Sequence, residues 1–181
     1  MESKNISHYS VTEHLRDGRK VTIRAIRPDD KGQIAQALKE LSSESFYRRL
    51  FSPKRDLTEA DLKQLTEVDF ENIVALVAEM KEEEHDRIVG GGRYIRTSES
   101  GDALKAEVAF LIGDAHQGLG IGSRIFKHLV IVARASGIMQ FDAEVLPSNE
   151  GMMRLFTNSG MPVYNKATRD SVHVTIDLTE Q

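Results

Sequence analysis

The chain contains no cysteine. That excludes a disulfide framework, a thiolate metal site and a cysteine nucleophile. It also lacks a basic excess: 24 Lys+Arg against 28 Asp+Glu give a formal net charge of −4 at pH 7. Nucleic-acid binders carry a basic excess on one face, so that class is disfavoured. No apolar run approaches the ~20 residues of a membrane-spanning helix. Residues 1–10 are polar and lack the apolar centre of a secretory signal. A cytoplasmic protein with no membrane partner is the expectation. The six histidines show no i, i+4 pair and no other metal-ligand spacing, so no metal site is expected.

What is present suits an ordinary globular protein: 181 residues, 40% hydrophobic and 29% charged. The length fits one domain over 1–181. Its core is expected over about 20–178, behind a polar N-terminal extension, 1–18, that ends in the turn Asp17-Gly18. Arg19 to Arg27 alternates as a strand. Pro28-Asp29-Asp30 opens a helix carrying Ile34, Ala37, Leu38 and Leu41, and Ser42 to Phe51 continues as a second helical piece. Thr58 and Asp61 form a capping-box pattern for a short helix through Leu65. Ile73 to Met80 is a continuous apolar run, which reads as a buried strand.

Strands are then expected at 87–96, 106–112, 138–146 and 172–178, with turns at 81–86 and 98–102. An amphipathic helix runs from about Ile121 to Ser136 and stops at Gly137, and another spans 149–158. Short turns make the middle strands antiparallel, whereas the strand–helix–strand unit 106–146 should be parallel. The expected fold is a mixed α/β (α+β) structure, a mostly antiparallel sheet flanked by helices.

The chemistry concentrates in Gln117-Gly118-Leu119-Gly120-Ile121-Gly122, directly after a strand and directly opening a helix. Glycines let backbone turn sharply and approach a ligand. The unpaired N–H groups of the helix start, with the helix dipole, then make a phosphate cradle. A P-loop would need Lys-Ser/Thr after its last glycine, but Ser123-Arg124 follows here. A dinucleotide fingerprint belongs on the first strand of its domain, and this loop lies two-thirds along the chain.

The pattern Ile112-x4-Gln117-x2-Gly120-x-Gly122 resembles the acyl-CoA pyrophosphate motif of the GNAT N-acetyltransferases. The chain looks most like the acetyltransferase domain of bacterial protein lysine acetyltransferases, through Leu41 to Phe51, Val68-Asp69-Phe70, Ala75 to Ala78 and Ala106 to Phe110. Those proteins often carry a cyclic-nucleotide-binding or acyl-CoA-synthetase-like domain, for which 181 residues leave no room. The resemblance implies the GNAT fold, with the parallel strand pair splayed apart. It implies acetyl-CoA as co-substrate, no metal, and a homodimer as a plausible assembly. The backbone of Phe110, Leu111, Ile112 and Gly113 would pair with the pantetheine arm. The amides of Gly118, Leu119, Gly120, Ile121, Gly122 and Ser123, with Gln117, would hold the pyrophosphate. Asn149 would sit beside the coenzyme arm, although it also fits a plain helix N-cap.

A protonated amine must lose a proton before it attacks a thioester. The resemblance gives that task to Glu107, on the strand leading into the loop. Many GNAT enzymes place a tyrosine acid near the sulfur, but Phe156 stands at the corresponding position. No cysteine can carry an acyl intermediate, so direct transfer is expected. The acceptor is an amine, either a protein lysine or a small molecule such as a polyamine or amino acid. A non-catalytic acyl-CoA-sensing module is the alternative. His116 reads as a solvated loop histidine and His85 as part of a charged turn. Arg48 and Arg49 read as surface helix charges, and Met152 and Met153 as packing residues.

Overall fold

The computed structural model describes residues 6–50, 56–97 and 104–179, with backbone alone for 48–50. Eight strands form one sheet: β1 (Ser10–His14), β2 (Lys20–Ala25), β3 (Ile73–Glu82), β4 (His85–Thr97), β5 (Leu104–Ile112), β6 (Ile138–Val145), β7 (Val163–Ala167) and β8 (Val172–Asp177). Their order is β1-β2-β3-β4-β5-β6-β8-β7. Every pairing is antiparallel except β5–β6, which is parallel as the strand–helix–strand unit required. The helices are α1 (Lys31–Glu40), α2 (Ser43–Leu50), α3 (Glu59–Thr66), α4 (Ile121–Ala135) and α5 (Glu150–Thr157).

Two strands differ from the sequence reading. The stretch read as an N-terminal extension contributes β1, and β7 had no counterpart. Both are edge strands whose residues are mostly exposed, so neither shows the apolar alternation that marks a half-buried strand. Pro28–Asp30 forms a 3-10 turn before α1 rather than its first turn. The Thr58–Asp61 capping box is present: Asp61 N donates to Thr58 Oγ1 and Thr58 N to Asp61 Oδ2. The expected turn at 98–102 and Phe51 lie outside the described residues, as do the side chains of Arg48 and Arg49.

Side-chain alternation divides the sheet into two faces. Ala106, Val108 and Phe110 of β5 point to the main core beneath α4. There Phe110, Phe126, Phe141 and Phe156 form a chain of ring contacts at 5.4–6.3 Å. Gly92 lets α4 settle on the sheet, because a Cβ there would lie 2.6 Å from Phe110 and 2.8 Å from Ile125. The opposite face carries smaller clusters under α1 to α3. The start of α1 is tied down by Arg24, whose buried guanidinium donates to Asp30 at 2.9 Å and to Glu79 at 2.8 Å.

Candidate active site

The parallel ladder between β5 and β6 runs from Leu104↔Ile138 to Glu107↔Asp142 and stops. β5 continues to Ile112 and β6 to Val145, each still paired on its other side, with β4 and β8. The two strands therefore part just beyond Glu107. Half of the N–H and C=O groups of residues 108–112 point away from β4 into that gap. An extended polar ligand can pair with them as an added strand. Phe110, Leu111 and Ile112 all lie on this length of β5.

At the end of β5 the chain makes a 3-10 turn, Asp114–His116, and reaches α4. The three glycines of the loop serve different ends. Gly118 (φ +77) and Gly120 (φ +82) hold left-handed backbone, where a side chain is strained. Gly122 is helical; a Cβ there would lie 2.9 Å from Leu155, so this glycine lets α5 pack against α4. The first-turn amides of Ile121, Gly122 and Ser123 have no carbonyl within the helix to bond. Ile121 is 1% exposed, so it can meet a ligand through backbone only. Leu119 packs against the core, and Ser123 is exposed.

Side chains brace the loop. Gln117 Nε2 donates to Asp114 Oδ1 at 3.2 Å and to the Ile112 carbonyl at 3.4 Å. Ser42 N, between α1 and α2, donates to Asp114 Oδ2 at 2.8 Å. His116 is not the solvated residue expected: its Nε2 lies 2.6 Å from Glu82 Oε1, pinning the loop to β3. Asn149 caps α5, accepting from Met152 N at 3.2 Å through its side-chain oxygen. Phe156 is fully buried in the aromatic core, so this position is turned away from solvent as well as lacking a hydroxyl.

Glu107 is exposed on the face opposite α4, and its carboxylate makes no hydrogen bond among the described residues. Register sets its surroundings: Ile95 on β4 and Asp142 on β6 stand directly opposite, and Arg93 opposes Ala109. Arg93 is half-buried, and its Nε has no hydrogen-bond partner among the described residues. Burial pulls the Arg93 pKa below its usual value, and the Glu107 charge offsets part of that. Further along the same face, Asp142 accepts from Thr175 Oγ1 at 2.8 Å and Glu144 contacts His173 Nδ1 at 2.6 Å. The hydrogen bond to Glu144 raises the His173 pKa above the ordinary imidazole value, despite some burial. Sequence reading missed Arg93, Asp142 and His173, because only strand register brings them to Glu107's face.

Residues 35–161 match the model of the acetyltransferase (GNAT) family. The chain belongs to that family, and transferase chemistry comes with it. It is 34% identical over 143 residues to an acetyltransferase from Pseudomonas aeruginosa, covering 79% of this chain and 75% of that one. It is 35% identical over 146 residues to acetyltransferase Pat from Mycolicibacterium smegmatis, covering 81% of this chain but 42% of Pat. The chain thus spans less than half of Pat. The crystal structure of the GNAT domain of S. lividans PAT superposes with a TM-score of 0.82 at 33% identity, covering 93% of this chain and 96% of that one.

Proposed function

We propose that the protein transfers an acetyl group from acetyl-CoA to an amine, in the cytoplasm and by direct attack within a ternary complex. The observation that carries this reading is the parting of β5 and β6 immediately after Glu107, at the foot of a strand that leads to an amide-lined helix start. The pantetheine arm pairs with the free edge of 108–112. The pyrophosphate sits on the amides of 118–123, and Asn149 flanks the arm from its cap position. What these segments offer is backbone N–H and C=O groups and one amide side chain, which fit an anionic, extended coenzyme.

An amine with a pKa near 10.4 arrives protonated. Glu107 takes its proton, directly or through water. The neutral nitrogen then attacks the thioester carbonyl and the C–N bond forms; the nitrogen sheds its second proton to solvent, and the C–S bond breaks as the tetrahedral intermediate collapses. A free β5 N–H facing the gap stabilises the oxyanion. Coenzyme A leaves as a thiolate, whose pKa near 8.5 allows protonation by solvent. Phe156, buried and without a hydroxyl, takes no part in that step. A protein lysine is the acceptor this reading favours. The open surface around Glu107, with Asp142 and Glu144 nearby, suits a cationic side chain presented from outside.

The test is CoA release with a panel of amines and a protein substrate, comparing wild type with Glu107→Gln. Loss of a general base should lower kcat/KM about 10²- to 10⁴-fold, while acetyl-CoA affinity stays the same. Unchanged turnover in Glu107→Gln would remove Glu107 from the mechanism. Acetyl-CoA binding with no turnover on any acceptor would favour a sensing module instead.

A further inference from the structure

Glu107 has two cross-strand neighbours, and they differ in kind: Ile95 stands opposite it on β4 and Asp142 on β6. Residues in register share a face, and adjacent strands lie about 5 Å apart. Ile95, Glu107 and Asp142 therefore form one row across three strands, ending where β5 and β6 part. All three reach solvent: Ile95 is 38% exposed, Glu107 is exposed, and the Asp142 side chain is 21% exposed. Asp142 is braced mainly through one oxygen. Its Oδ1 accepts from Thr175 Oγ1 at 2.8 Å and from Gln140 Nε2 at 3.0 Å, and lies 3.3 Å from His173 Nε2. Oδ2 accepts from Gln140 Nε2 alone, at 2.8 Å. A carboxylate has about four lone-pair sites, two on each oxygen, so Oδ2 keeps room for a further donor. The braces fix the group without using up its capacity. Two carboxylates on adjacent strands also repel each other, and a cation between them removes that cost.

We infer that Asp142 selects the acceptor: it receives the ammonium of a primary alkylamine beside Glu107, while the alkyl stem lies over Ile95. The inference rests on the acceptor site proposed above. A lysine ammonium carries three donors. One meets Glu107, one meets Asp142 Oδ2, and the third stays in water. Lysine stems lie along apolar surface, and the exposed Ile95 supplies it on the other side of Glu107. Glu107 then takes the proton. Asp142 exchanges none; it holds the nitrogen at the mouth of the gap where the thioester lies. His173 is a positioning residue that acts through Asp142. Its ring is fixed at both nitrogens, with Nδ1 2.6 Å from Glu144 Oε1 and Nε2 facing Asp142.

The experiment measures CoA release from acetyl-CoA with an N-terminally acetylated peptide containing one lysine, for wild type, Asp142→Asn, Asp142→Glu, His173→Gln and Ile95→Thr. Acetyl-CoA binding is measured alongside by calorimetry. A hydrogen bond to a charged group is worth about 10- to 100-fold in affinity. Asp142→Asn should therefore raise the peptide KM at least about tenfold, with kcat within about twofold and acetyl-CoA affinity unchanged. Asp142→Glu should recover part of the loss, and His173→Gln should raise the same KM by less. Ile95→Thr keeps a β-branched residue on the strand and should raise the peptide KM about fourfold, one buried methylene's worth. An unchanged peptide KM in Asp142→Asn, beside the expected loss in Glu107→Gln, overturns the inference and leaves the Glu107 mechanism intact. So does a fall in kcat at constant KM, or an equal loss of acetyl-CoA affinity. If Asp142→Asn does not fold, an unchanged peptide KM in both His173→Gln and Ile95→Thr overturns it instead. A wild type that binds acetyl-CoA but never acetylates the lysine peptide overturns it as well. Unchanged turnover in Glu107→Gln would remove the acceptor site itself, and the inference with it.

Discussion

The two faces of the sheet are built on different terms. Under α4 the packing is dense and apolar, with four phenylalanines linked by ring contacts and a glycine where helix and strand approach. Under α1 the apolar clusters are smaller, a buried ion pair fastens the helix start, a cavity remains, and Glu107 stands exposed. The lesson is a division of labour. The α4 face supplies a rigid platform that fixes the loop at the helix start, while the other face keeps the space and polarity a reaction needs. Close packing penalises any change of volume, so the face that is packed incompletely is the one that can admit the substrate of the proposed site.

The contrast can be broken most sharply at the ion pair. Asp30→Ala should cost about 3 kcal/mol of unfolding free energy, measured by urea denaturation, because it leaves the Arg24 guanidinium buried with Glu79 as its remaining carboxylate. A loss below 1 kcal/mol, in the range of surface pairs, would mean that α1 is held by apolar contacts alone.

Neighbouring glycines sharpen the comparison further. Gly92→Ala places a Cβ 2.6 Å from Phe110, 2.8 Å from Ile125 and 2.9 Å from Leu129. It should cost about 1–3 kcal/mol by overpacking. Gly91→Ala, facing the other way, meets only the Leu76 carbonyl at 3.2 Å before ordinary contact distance. Its cost should be smaller, and thermal melts of the two variants side by side would show whether the faces differ as described.

The smallest effect concerns Asp69, in the turn before β3. Partial burial would raise its pKa, but backbone N–H groups of Ile73, Glu71 and Asn72, with the Asn72 side chain, hold it at about 2. A carboxyl depressed on folding contributes stability above its unfolded pKa near 3.9, and loses it as pH falls toward the folded value. Stability should fall by about 1 kcal/mol between about pH 4 and 2, after allowing for solvent screening of an exposed group. Asp69→Asn should lack that component of the acid transition, seen by denaturation at several pH values.

The same Asp69 turn shows how much was readable in advance. Val68-Asp69-Phe70 stood out as a family resemblance, but its physical role appears only in the folded chain. Asp69 gathers three amides while Phe70 adopts φ +55. Local spacing identified the helices, the Thr58 cap, the buried β3 and the loop from Ile112 to Gly122, since these depend on neighbours within a few residues. The edge strands β1 and β7 were not readable, because exposed edges carry no apolar period. Nor was His116, whose partner Glu82 lies 34 positions away in sequence.

The sequence by itself determined where the amide-lined helix start lies and which strand leads to it. Its glycines and apolar periodicity allow few other local structures. Only the tertiary structure decided that β5 and β6 part at Glu107, that Arg93 and Asp142 share its face, and that a cavity lies under α1. Each of these depends on strand register and helix placement between segments distant in sequence, and no local pattern encodes that pairing.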